Sequence, residues 1–257
     1  MQWEKINVCV QKWMKQARKI ILEGRTKELC VEEKTSRCDL VTNVDKFIEK
    51  FYVDRIRETF PNSKILGEEG EADKDLDNFK GLLWIIDPID GTMNFVKQHD
   101  HFASMIAVCE NGIEKLGYIL DVTEDELYWG GPECGVFCND QKVAPPKNLP
   151  LEEGLFGVGG KMLLSNYRNV QSAAKKSLGV RIYGSSGIEF IHVLTGKNVS
   201  YFSHLRPWDY AAGKILAETL GLVVKTIDEE SLDMLSSSDV LVATKNAHQG
   251  IIKLMNS

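Results

Sequence analysis

The chain has 257 residues, enough to bury a large core as one big domain or two closely packed halves. Its formal charge of −6 excludes the basic stripe that a nucleic-acid surface needs, but not an anionic substrate, because metal ions supply positive charge locally. No run approaches membrane-spanning length, no secretory signal is visible, and Cys9, Cys30, Cys38, Cys109, Cys134 and Cys138 are too scattered for a zinc site, so a cytoplasmic protein with reduced thiols is expected.

Trp3, Ile6, Val10, Trp13, Ala17 and Ile20 recur at spacings of three and four, which predicts a helix ending near Gly24 with its aromatics in the core. The polar stretch around Lys34 reads as a loop or edge hairpin. Thr42 or Asn43 then caps a helix with Val44, Phe47, Ile48, Phe51 and Ile56 inward, stopped by Pro61. Asp45 falls in its first turn, where a carboxylate suits the helix dipole. Ser63 to Leu66 is a short strand leading into Gly67-Glu68-Glu69-Gly70, an acidic pair that suits a solvated turn or a functional one. Asp73 to Phe79 is a polar connector. Leu82 to Ile86 is a continuous apolar run and predicts a strand buried on both faces, stopped by Pro88, which cannot donate to a ladder.

After Phe95 the pattern changes to strands at 102–110, 115–120, 126–129 and 135–138, with Asn111-Gly112 as a hairpin turn, which reads as an antiparallel meander. Ala144-Pro145-Pro146-Lys147-Asn148 is the linker candidate, giving an N-terminal half 1–143 and a C-terminal half 149–257 within a single compact unit. In the second half, strands at 155–158, 180–183, 199–202, 222–225 and 240–243 are interspersed with helices at 163–178, 185–196, 208–220 and 249–255, which suggests a second α/β layer.

Asp87 stands at the carboxyl end of its strand, where open α/β sheets place ligands. Asp90 follows across a turn that Pro88 and Gly91 sharpen. Two carboxylates this close repel unless a cation lies between them, and a hard ion such as Mg²⁺ takes one or two carboxylates plus a phosphate oxygen. The amides of Gly91 and Thr92 open a helix whose N-terminus suits a phosphate. For an isolated D-P-x-D, a turn with a capping Asp is the simpler reading. The full string from Asp87 to Phe95 is longer, and it resembles the D-P-I-D-G-T-x-N-F signature of the inositol monophosphatase family, within the group of Mg²⁺-dependent, lithium-sensitive sugar phosphatases. Lys34 with Asp39-Leu40-Val41-Thr42 and Asp45, Gly67-Glu68-Glu69, and Trp208-Asp209-Tyr210-Ala211-Ala212 resemble three further family elements in the family's order, so the likeness covers nearly the whole chain.

The resemblance implies an α/β fold of mixed α+β layers, a layered α-β-α-β-α sandwich, usually a homodimer, with two or three Mg²⁺ ions per active site. It implies Glu68, Asp87 and the Ile89 carbonyl for a first metal and Asp87, Asp90 and Asp209 for a second. A third, hydrated metal is implied beside Glu68 and Glu69. Thr92, oriented by Asp45, is implied to position or deprotonate the attacking water, the amides of Gly91 and Thr92 to cradle the phosphate, and Lys34 to sit on a flap over the metals. Arg37 and Cys38 make that flap unlike those of many relatives.

The likeness weakens on the alcohol side of the substrate. The family's glutamate seven residues before the Trp-Asp aspartate reads Phe202, and its Gly-Thr-Ala or Gly-Ser-Ala triplet reads Gly187-Ile188-Glu189. Glu189 has two open readings, a hydroxyl-binding carboxylate or a solvated helix residue. Arg206 also has two, a surface charge or a partner for a second phosphate. The expected activity is a phosphomonoesterase on a small phosphorylated polyol or sugar, foremost inositol monophosphate. Fructose-1,6-bisphosphatase-like or nucleotide-phosphate activity is the alternative, and a catalytically silent metal- or ligand-binding protein is the competing class.

Overall fold

The computed structural model describes residues 2–25, 29–36, 39–70, 73, 75, 76 and 79–256. Arg37, Cys38 and part of the connector expected over 73–79 lie outside these. Helix α1 (Gln2–Gly24) buries Ile6, Val10, Trp13, Ala17 and Ile21 on one face. Trp13 meets Trp84 at 6.2 Å between ring centroids and Trp84 meets Phe60 at 5.4 Å, so the aromatic stripe is core. Strands β1 (Val31–Ser36) and β2 (Asp39–Thr42) form an antiparallel hairpin. Thr42 then caps α2 (Asn43–Thr59) through a capping box with Asp45. The buried stripe of α2 includes Val44, Asp45, Ile48, Glu49, Tyr52 and Ile56. Phe47, expected inward, is 57 % exposed, because it sits about 100° around the helix from Ile48.

The first sheet contains β3 (Lys64–Gly67), β4 (Leu82–Asp90), β5 (Ala103–Glu110), β6 (Ile113–Asp121), β7 (Glu126–Gly131), β8 (Gly135–Cys138) and β9 (Gln141–Lys142), side by side in that order. Helix α3 (Thr92–Lys97) connects β4 to β5. β3 runs parallel to β4, and the rest is an antiparallel meander. β4 does not stop at Pro88. Asp87 lies opposite Met105 and Asp90 opposite Ala103, so β4 advances three residues against two on β5. That bulge carries the proline through without a ladder donor and re-aims the residues around it.

Residues 143–150 hold no strand or helix and lead to the second sheet. This sheet has β10 (Leu155–Val158), β11 (Gly179–Arg181), β12 (Ser200–Leu205), β13 (Val223–Thr226) and β14 (Ser238–Ala243) in the order β11-β10-β12-β14-β13. β11, β10 and β12 are parallel, while β14 pairs antiparallel with β12 and β13. The single helix expected over 163–178 is instead α4 (Gly160–Ser165) and α5 (Val170–Lys176). Asn166, Arg168 and Asn169 between them are left-handed, a conformation asparagine tolerates and a continuous helix forbids.

Helices α6 (Ser186–Leu194) and α7 (Pro207–Thr219) share one core with the inner faces of both sheets, including Ile85, Met105, Tyr201 and Val242. α1 and α2 pack on the outer face of the first sheet over Trp84 and Ile86. α8 (Lys245–Met255), capped by Thr244 and so starting earlier than read, packs with α5 on the outer face of the second sheet over Phe156, Phe202 and Leu241. The result is an α-β-α-β-α sandwich. No helix of the described residues is long and apolar enough to cross a membrane.

The middle layer is seated very close. A Cβ on Gly117 of β6 would lie 2.5 Å from the Ala212 carbonyl oxygen of α7, the helix that carries Asp209. Gly117→Ala must therefore lift α7 or strain β6. Its expected effect is a loss of ~1–3 kcal/mol, read as a lower urea midpoint. An unchanged midpoint would contradict this packing.

Candidate active site

Asp87, Asp90 and Asp209 offer carboxylate oxygens that all lie within 4.8 Å of one another. They line a cleft of about 180 Å³ together with Glu68, Ile89, Gly91 and Thr92. Glu68 follows the carboxyl end of β3, Asp87 and Asp90 flank the bulge of β4, and Asp209 is in the first turn of α7, so three separate elements converge.

Each acid has a different environment. Asp87 is buried, and its Oδ1 has no hydrogen-bond partner among the described residues. Burial pushes its pKa well above the ordinary range, and the charges of Glu68, Asp90 and Asp209 push it further. Asp90 is buried but fully engaged. It accepts from Ser186 N at 3.1 Å, Ser186 Oγ at 2.9 Å, Gly187 N at 2.7 Å and the Ser185 hydroxyl, all at the N-terminus of α6. Burial raises its pKa, and these donors act against the rise. Asp209 accepts from Arg206 N at 2.8 Å, and burial followed by Asp90 and Glu68 raises its pKa. A buried carboxylate oxygen without a donor, beside two further carboxylates, is the donor set a hard divalent cation satisfies.

Gly91 closes the turn after Asp90 with φ +88°, and a Cβ there would come 2.9 Å from the Ser185 Cβ, so both conformation and space demand glycine. Thr92 Oγ1 lies 2.9 Å from Asp45 Oδ1 and 3.0 Å from the Ile89 carbonyl. The other Asp45 oxygen accepts from Thr42 N at 2.9 Å and from the Thr42 hydroxyl. The capping role read for Asp45 is therefore real, and it leaves one oxygen aimed at Thr92. Lys34 Nζ bridges Glu68 at 2.9 Å and Glu69 at 2.5 Å. Burial opposes the ammonium charge, but the two glutamates outweigh it and hold its pKa above the ordinary value. Burial pushes Glu69 up to about 7 although Lys34 pulls the other way.

Glu49 was missed in the sequence. It is buried in α2, and its Oε2 accepts the Glu69 amide at 2.7 Å, which fixes the Glu68-Glu69 turn. An acid at an inward position of the α2 stripe was the signal that could have found it. Ser185 and Ser186 were missed as well: Ser185 caps α6, and both hold Asp90.

A second cavity of about 240 Å³ adjoins the cleft and shares Asp90, Gly184 and Asp209 with it. Glu189, Tyr201 and Ser203 line it, and among the described residues no Lys, Arg or His does so. Glu189 is buried, which removes the solvated reading, and burial pushes its pKa up to about 8. Of its triplet, Gly187 gives its amide to Asp90 and Ile188 is core. Phe202 points the other way, into the outer core. Arg206 is exposed and its guanidinium stacks over Trp208 at 5.7 Å. At the start of α7 the Arg206 N–H donates to Asp209, and the charge of its side chain works against the raised pKa of that acid.

The sandwich and its acidic cleft are those of a metal-dependent class of phosphatases. A solved IMPase/NADP phosphatase complexed with Mg²⁺ and phosphate superposes with a TM-score of 0.92 at 31% identity, covering 100% of this chain and 97% of that one. The model of the inositol monophosphatase family matches residues 2–257. The chain is 41% identical over 256 residues to an inositol-1-monophosphatase of Bacillus subtilis (98% of this chain, 96% of that protein). It is 31% identical to a fructose-1,6-bisphosphatase/inositol-1-monophosphatase of Thermotoga maritima (88% and 86%). The chain belongs to the inositol monophosphatase family, and it is a phosphatase, a hydrolase of phosphate monoesters.

The raised carboxyl groups make metal-free stability depend on pH. Glu69 and Glu189 keep their protons to about 7 and about 8 when folded but release them near 4.5 when unfolded. Native protein thus binds more protons between these values, and stability falls as pH rises through them. In EDTA, Tm should fall from mildly acidic to mildly alkaline pH. Asp87→Asn should raise the EDTA Tm at neutral pH by relieving the buried charge, while abolishing the Tm gain that Mg²⁺ gives the parent protein. A lower EDTA Tm for Asp87→Asn, or an undiminished gain with Mg²⁺, would contradict the assignment.

Proposed function

We propose that the protein hydrolyses the phosphate monoester of a small, uncharged polyol, foremost inositol monophosphate, with Mg²⁺ as its metal. The unpartnered Oδ1 of Asp87 among Asp90, Asp209 and Glu68 carries the reading, because this donor set fits a hard cation and little else. Glu68, Asp87 and the Ile89 carbonyl would hold one ion and Asp87, Asp90 and Asp209 another, with a third near Glu68 and Glu69. When bound, the ions supply charge neutralisation at the phosphate and Lewis-acid activation of water. Lys34, now bridging Glu68 and Glu69, neutralises that edge of the cleft.

The chain's own part is orientation and proton handling. Asp45 takes the Thr92 hydroxyl proton into a hydrogen bond, which leaves Thr92 Oγ1 lone pairs free to accept from the attacking water. Thr42 fixes the angle of Asp45 through its other oxygen. The amides of Gly91 and Thr92 are suited to orient the phosphate. The alcohol half would enter the adjoining cavity, where a wall of Glu189, Tyr201 and Ser203 suits hydroxyls. Among the described residues, none of those lining it is a cation, which favours a neutral alcohol over a bisphosphate or a nucleotide. Lithium sensitivity and a homodimer belong to the same reading. The exposed Leu164, Leu178 and Ile182 around edge strand β11 support self-association.

Thr92→Ala should lower kcat on inositol 1-phosphate ~10²-fold or more while leaving Tm in place. On a panel, kcat/KM for inositol 1-phosphate should exceed that for fructose 1,6-bisphosphate and NADP. A preference for either of those two would remove the neutral-alcohol reading, and normal turnover by Thr92→Ala would remove the proton role.

A further inference from the structure

The loop between β11 and α6 is tied at a single residue, Tyr183. Asn94, buried in α3, spends both amide protons on backbone: Nδ2 donates to the Tyr183 carbonyl at 2.7 Å and to the His101 carbonyl at 2.8 Å. Tyr183 N–H donates in turn to Glu189 Oε1 at 3.0 Å. The carbonyl and the N–H of Tyr183 are thus gripped by side chains from two different helices. The next residue, Gly184, is left-handed with φ +77°, and a Cβ there would lie 3.2 Å from Asn94 Oδ1. Ser185, Ser186 and Gly187 follow at once, and four of their donors close on Asp90.

We propose that Asn94 and Glu189 are positioning residues for Asp90: together they hold the Tyr183 backbone on both sides of its Cα and so fix the Ser185–Gly187 donors that orient the Asp90 carboxylate. This rests on Asp90 being a metal ligand, as proposed above. The position of Asn94 follows from the signature turn itself. Gly91 ends the bulged strand, α3 begins at Thr92, and Asn94 leaves its first turn facing the β11–α6 loop. Glu189 closes the other side from within the first turn of α6. Its second oxygen lies 3.4 Å from Asn198 Nδ2, and the unpartnered Asn198 Oδ1 is available to a donor placed at Glu189. Gln at 189 would therefore keep the acceptor for Tyr183 N–H and give Asn198 Oδ1 a partner once that amide turns over. Ala at 189 would release the Tyr183 N–H.

Mg²⁺ affinity of the full-length chain, measured by isothermal titration calorimetry alongside Tm in EDTA, tests the clamp. Asn94→Ala and Glu189→Ala should each weaken Mg²⁺ binding ~10- to 100-fold, the range for groups that orient metal ligands. Glu189→Gln should stay close to the parent value. The Asn94→Ala/Glu189→Ala pair should be far less than additive, because both act on the backbone of one residue, Tyr183. Variants that lower the EDTA Tm but bind Mg²⁺ like the parent would reduce the clamp to a structural tie and overturn the proposal. Equal losses in Glu189→Gln and Glu189→Ala would overturn it too. If Asn94→Ala does not fold, the Glu189 pair decides alone. A parent protein that binds no Mg²⁺ would instead sink the metal reading beneath it, which keeps the two failures apart.

Discussion

The structure is governed by like charges brought together out of water. Glu68, Asp87, Asp90 and Asp209 meet in one cleft, and Asp87 and Asp90 are buried. Left alone, such a group repels itself and raises its own pKa values, which opposes folding. The surrounding architecture holds the acids in place against that repulsion. A bulge sets Asp87 and Asp90 on one side, the α6 N-terminus donates to Asp90, the first turn of α7 donates to Asp209, and Lys34 lies on Glu68. Among the described residues, Asp87 is the one of these acids with a fully buried oxygen that lacks a donor, and that gap is where a cation contributes most.

The same constraint explains why the site needs both sheets. The N-terminal sheet presents the acids at the end of β4, yet the donors on Asp90 come from α6 and the fourth acid from α7. These helices fill the space between the sheets, and the tight approach at Gly117 sets the height of α7 against β6. Metal-site geometry is therefore a property of the sandwich and not of the signature turn alone. The fold holds stored repulsion locally and compensates for it with the three hydrophobic cores around it.

What the sequence disclosed divides along locality. Asp87, Asp90, Gly91 and Thr92 were legible because their chemistry lies within one turn, and β4 announced itself as an unbroken apolar run. Glu68, Asp45, Lys34 and Asp209 became site candidates through family resemblance, since nothing in their own neighbourhoods distinguishes a ligand from a cap or a solvated acid. Glu49 and the Ser185 and Ser186 donors were missed because their partners are about 20 and 95 residues away, Glu69 and Asp90 respectively. Phe47 was misplaced by a helical phase in which Asp45 and Glu49 took inward positions that apolar residues were expected to hold. The helix over 163–178 failed because periodicity does not register left-handed asparagines. Arg206 kept two readings in the sequence because closeness to Asp209 says nothing about the direction of a side chain at a helix start.

The central claim is that the buried acids work through a divalent cation. Its most direct measurement is release of inorganic phosphate from inositol 1-phosphate by protein stripped with EDTA and then titrated with Mg²⁺. The account predicts no turnover in the stripped protein and a saturable return of activity on adding Mg²⁺. Turnover that persists without any divalent ion, or that Mg²⁺ fails to restore in protein that is still folded, would contradict it.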